Sequence, residues 1–89
     1  MALRTVLVTP QWTLDRPNES ARIDCDIALV SGDDDGGLYE IRLTLNGAAL
    51  YARLWDSHDA VSADADIALR EFVQAGWVEV RSLSNRLEP

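Results

Sequence analysis

A histidine set among acids and a serine, Asp56-Ser57-His58-Asp59, is the first place to look for catalysis in this sequence. An imidazole acts as a base when a nucleophile lies within hydrogen-bond reach and a third group orients the ring. Neighbours along one loop rarely meet that geometry, so His58 is expected to be a solvated loop residue just ahead of a helix. Cys25 is the only cysteine, which rules out an intrachain disulfide. A nucleophilic thiol needs an electropositive, partly exposed setting. Cys25 instead falls on the apolar side of an alternating stretch and is expected to be a small buried hydrophobe.

Asp33-Asp34-Asp35-Gly36-Gly37 clusters the oxygen ligands that hard cations favour. An EF-hand loop needs acids at alternating positions and a glutamate at the twelfth, and neither Asp33 nor Asp35 starts such a pattern. The same stretch is a poor phosphate cradle, because it has no lysine and its carboxylates repel the ligand. Asp24, Asp26 and Glu40 can share the exposed side of neighbouring strands, where paired carboxylates do acid–base work. An open sheet in a chain of 89 residues offers little depth for the pocket this requires. Catalytic residues, metal ligands and cofactors are therefore not expected, and the chain reads as non-enzymatic.

The elements that position these residues follow from the hydropathy pattern. Residues 3–9 are β-branched and apolar and read as a strand that ends at Pro10; residues 13–21 have loop composition. From 22 to 31, Ile23, Cys25, Ile27 and Leu29 alternate with Arg22, Asp24 and Asp26, the period of a half-buried strand. From 38 to 45, Tyr39, Ile41, Leu43 and Leu45 alternate with Glu40, Arg42 and Thr44. Asn46-Gly47 then signals a tight hairpin, since both residues tolerate positive φ. Residues 48–56 return as the partner strand, with Leu50, Ala52 and Leu54 expected on the core side and Tyr51, Arg53 and Trp55 on the other.

A helix is expected between Ser62 and Gly76. Ser62 caps it, Asp64 and Asp66 favour its dipole from the first turn, and Ala65, Ala68, Leu69, Phe72 and Val73 form its apolar stripe. Residues 77–83 read as a last strand, delivered to a sheet edge that the sequence does not identify; a parallel pairing there is one option. Residues 84–89 read as a polar tail. The expected fold is α+β: one domain over residues 1–89, with an antiparallel sheet of four to five strands in the order β-β-β-β-α-β and a single helix on one face.

The net charge is −7, with fifteen acids against eight bases, all of them arginine. Nucleic acids and anionic membranes are bound by cations, so direct contact with either is disfavoured. No apolar run approaches the ~20 residues of a membrane span, and the expected location is cytoplasmic, in a cell or an infected host.

The informative surface is the sheet face opposite the core, where Tyr51, Trp55 and Arg53 are the residue types that dominate protein–protein hot spots. That face also allows a cross-strand ion pair of Glu40 with Arg53. Ile67 lies off the helix stripe. The acids cluster at Asp33, Asp34 and Asp35 and again from Asp56 and Asp59 into the helix. Fixed carboxylates of this kind imitate a nucleic-acid backbone and fit a basic groove.

The hairpin Leu45-Asn46-Gly47-Ala48 followed by a helix ending in Gln74-Ala75-Gly76-Trp77 resembles the layout of small acidic inhibitors that phages direct at host defences, the anti-CRISPR proteins among them. The resemblance covers the hairpin and helix; the closing strand departs from it, and it carries no functional residue across. It implies a protein-binding inhibitor of a nuclease or other nucleic-acid-binding complex. The expected contacts are Asp33, Asp34, Asp35, Tyr51, Arg53, Trp55, Asp56, Asp59 and Ile67. The alternatives are a small structural or assembly subunit that self-associates through an exposed strand edge, and a small metal-binding or enzymatic domain.

Overall fold

The computed structural model describes residues 4–31 and 37–82. The acidic triplet Asp33, Asp34 and Asp35 and the tail 84–89 lie outside the described residues. The strands are β1 (Arg4–Arg16), β2 (Ala21–Ser31), β3 (Gly37–Leu45), β4 (Ala48–Trp55) and β5 (Val78–Ser82). A 3₁₀ turn (Pro17–Glu19) joins β1 to β2, and α1 (His58–Gln74) lies between β4 and β5. All pairings are antiparallel, in the spatial order β4-β3-β2-β1-β5. The fold is thus α+β, one five-stranded sheet with a helix against one face.

Alternation decides which face is buried. Ile23, Cys25 and Ile27 pair with Leu45, Leu43 and Ile41, so their side chains share the side on which Val61 and Ala65 of α1 pack. Trp12 and Leu14 of β1 join them, opposite Cys25 and Ile23. Complete burial of a side chain such as Ile41 or Leu14 contributes roughly 1.5–3 kcal/mol. Trp12 also anchors the helix directly, because its indole Nε1 donates to the Ala65 carbonyl at 3.0 Å.

The helix C-terminus is closed by Arg16. Its guanidinium donates to the Ala75 carbonyl and stacks 4.8 Å from the centre of the Trp77 ring. Cations near the last carbonyls are favoured by the helix dipole. Gly76 follows with φ of 106°, the left-handed geometry that stops a helix. Trp77 in turn meets Phe72 edge-on, with ring centres 6.1 Å apart.

Several expectations are corrected. The segment 13–21 is not mainly loop: β1 runs on through Arg16, because Trp12, Thr13 and Leu14 are needed in the core. Among the described residues, Pro10 is tolerated because β5 pairs only with Trp12–Asp15, which leaves the outer side of β1 open at the proline, and an irregularity follows it before Trp12. The helix begins a turn earlier than expected. Ser57, not Ser62, caps it, its hydroxyl accepting from the Ala60 amide at 3.1 Å, and Val61 becomes a fully buried member of the apolar stripe. His58 is therefore the first helical residue rather than a loop residue. Val73, expected in the stripe, is exposed. β5 pairs antiparallel with β1, not parallel.

The largest correction concerns β4. The Asn46-Gly47 turn has φ of 51° and 86° and pairs Leu45 with Ala48, as the hairpin signal requires. Thr44 then pairs with Ala49, but Leu43 pairs with Tyr51, so Leu50 is an extra residue. A bulge of one residue moves every later side chain to the other face. Tyr51, Arg53 and Trp55 therefore stand on the helix side, opposite Leu43, Ile41 and Tyr39. Ala52 and Leu54, expected in the core, face away from the helix, and Leu50 and Leu54 are both exposed.

Candidate partner-binding surface

Because β4 is an edge strand, the inverted face brings its aromatics to the seam between sheet and helix. One carboxylate oxygen of Asp64, Oδ2, accepts from Trp55 Nε1 at 3.0 Å and from the Tyr51 hydroxyl at 3.3 Å. The Arg53 guanidinium lies over the Trp55 ring, 4.1 Å from its centre, a cation–π arrangement. Arg53 can sit opposite buried Ile41 because an edge lets a long side chain keep its charge in water. Ile67 is exposed one turn beyond Asp64.

The structure thus gathers Tyr51, Arg53 and Trp55 along one seam and adds Asp64, while Ile67 is exposed farther round the helix. The sequence pattern puts Asp64 in the first turn as a dipole acid, but the earlier start of α1 leaves that place to Asp59. Nothing in the local sequence marks Asp64 as an acceptor; only the tertiary approach of α1 to β4 does.

Antiparallel order also collects chain ends. Tyr39 and Trp55 are cross-strand partners where β3 begins and β4 ends. Ser31 and Gly37, the residues flanking the stretch with Asp33, Asp34 and Asp35, pair at this same end. The chain leaves β4 there through exposed Asp56 and enters α1 with exposed Asp59. His58 stands at this end too, edge-on to Tyr39 with ring centres 5.5 Å apart. Its Nδ1 lies 3.5 Å from the Ser62 hydroxyl.

The face away from the helix is more self-contained than its acid content suggests. Arg22 forms a bridge of 2.8 Å to Asp15. The hydrogen bond and charge of Arg22 hold the Asp15 carboxyl below its ordinary range, and Asp15 raises Arg22 in return. Asp24 accepts from Thr13 at 2.6 Å. Glu40 pairs with Arg42 of its own strand, not with Arg53, which the bulge has carried to the other face. Arg42 also reaches over β2 to the Thr5 hydroxyl at 2.9 Å, and Ala28 and Val30 of β2 are buried on this side.

Cys25 is buried and its thiol is pushed up to about 12, first by burial and then by the charges of Asp26, Asp64 and Asp66. A thiol held this high is not a nucleophile at neutral pH. Among the described residues, no three His, Cys, Asp or Glu side chains gather as metal ligands would, and no helix is long and apolar enough to cross a membrane. Compared with known proteins, the chain matches no family model, no curated protein and no solved structure.

Proposed function

We propose that this chain is a non-enzymatic protein-binding domain that contacts its partner through the β4 edge and its seam with α1. We propose further that the partner is a basic nucleic-acid-binding protein, which the domain inhibits by occupying the groove meant for phosphates. One observation carries this reading. Tyr51 and Trp55, held by Asp64, and Arg53, stacked on Trp55, stand on an edge strand beside the sheet end that presents Asp56 and Asp59.

The physical support is twofold. Aromatic side chains already fixed by hydrogen bonds lose little freedom on binding, and Tyr, Trp and Arg are the usual anchors of interfaces. Exposed carboxylates beside the anchors steer a cationic partner and reject an anionic one. The pairing of acids on the opposite face directs this role to the Asp56 end.

The test is capture from a bacterial lysate on immobilised protein, with duplex DNA as competitor and a salt gradient for elution. The expected catch is a basic nucleic-acid-binding protein that DNA displaces and salt releases. Tyr51→Ala should weaken capture by roughly tenfold or more, as anchors in interface centres do. Asp56→Lys with Asp59→Lys should flatten the salt dependence. A catch that ignores both DNA and these substitutions would overturn the reading.

A further inference from the structure

We propose that the outer edge of β1, from Arg4 to Pro10, pairs with the same segment of a second copy of this chain, antiparallel about Leu7. β1 pairs with β2 along nearly its whole length, whereas β5 pairs only with Trp12–Asp15. Among the described residues, no strand lies along the outer side of Arg4–Pro10. This stretch carries the most exposed apolar run of the sheet, with Val6, Leu7 and Val8 at 60%, 59% and 43%.

The geometry selects a strand as the occupant. Leu7 pairs with Leu29 in the row that continues to Tyr39, on the helix side, while Val8 pairs with Ala28 on the other. A helix or loop laid on one face covers only one of these side chains. A strand added at the edge touches both and satisfies the outward backbone groups as well.

Charge directs a second copy to this edge. Two molecules of net charge −7 repel, and the contact that costs least is one without carboxylates. Residues 4–11 contain no acid and a single arginine. Antiparallel pairing about Leu7 sets Val6 against Val8, Thr5 against Thr9 and Arg4 against Pro10, so no like charges meet. It also extends the row Tyr39, Leu29, Leu7 into its own image, burying the corner of the helix-side face. The irregularity at Val6 and the missing N–H of Pro10 bound the ladder and keep it short, so the dimer is concentration-dependent and leaves both β4 edges open for a partner.

Light scattering after size exclusion, over a range of protein concentrations, reads the outcome. The expected result is a monomer–dimer equilibrium that Leu7→Glu and Leu7→Arg each weaken on the order of tenfold or more, because each charge faces its own copy. Leu7 is exposed, so both variants should keep the native circular dichroism. Mixing the two should restore dimers as Glu–Arg heterodimers, which only pairing about position 7 explains. A monomer at every concentration overturns the proposal. So does a dimer unaffected by both variants, or one lost on Tyr51→Glu instead. Dimers appearing only after removal of residues 83–89 overturn it too, since the chain's own tail would then hold the edge.

Discussion

Single residues in this protein are defined by what reaches them from elsewhere in the chain. Asp64 accepts from two aromatic side chains of β4, and that pair of bonds turns Tyr51 and Trp55 from free surface groups into a fixed display. Arg16 does similar work at the other end of α1, where one guanidinium meets the Ala75 carbonyl and the Trp77 ring. Cys25 shows the reverse, a reactive group silenced by its surroundings. Its thiol rises from an ordinary 9.0 to about 12 in the fold. The unfolded chain therefore loses this proton first, and the stability present below about pH 9 falls as pH rises toward 12. Two measurements check this. Chemical denaturation of wild type and Cys25→Ala should show a steeper alkaline loss in the wild type. Thiol labelling at neutral pH should proceed only as fast as the protein unfolds. Rapid labelling of the native state would contradict the burial.

At the scale of elements, the bulge at Leu50 is the feature that matters most. The alternation of residues 38–45 was legible and sets the β3 faces correctly, and Asn46-Gly47 makes the turn that the dipeptide signals. A regular ladder from that turn places Leu50, Ala52 and Leu54 on the core side; one extra residue reverses the assignment. No local composition announces the bulge. It forms because Trp55 and Tyr51 gain Asp64 and Trp55 gains the core flank, which Leu54 and Leu50 forgo. Deleting Leu50 should therefore be tolerated, since it regularises the ladder while keeping Leu43 beside Tyr51. We expect native tryptophan fluorescence and a stability change within about 1 kcal/mol by urea denaturation. Loss of the fold, or exposure of Trp55, would place the irregularity elsewhere.

For the molecule as a whole, the excess of negative charge is arranged rather than spread. Arginines engage the acids of the open face, as Asp15 with Arg22 and Glu40 with Arg42, while Asp56 and Asp59 stand exposed where β4 passes into α1. Unscreened repulsion of this kind destabilises a compact chain. Thermal unfolding should reflect it. Between 0.01 M and 0.15 M salt the screening length falls from about 30 Å to about 8 Å, and the midpoint should rise by about 2–4 °C. A midpoint that falls with salt would mean that the ion pairs outweigh the repulsion.

The amino-acid pattern alone settles the α+β class, the strands from Ala21 to Trp55, the hairpin turn and the burial of Cys25. Each of these rests on local periodicity or on a dihedral preference that acts between neighbours. Tertiary structure alone decides that β1 continues past Pro10, that Ser57 starts the helix and that β5 joins β1. It also decides which face of β4 carries Tyr51, Arg53 and Trp55. Those outcomes depend on contacts between residues far apart in sequence, such as Trp12 with Ala65 and Trp55 with Asp64, and a pairing energy between distant groups leaves no periodic trace in either segment.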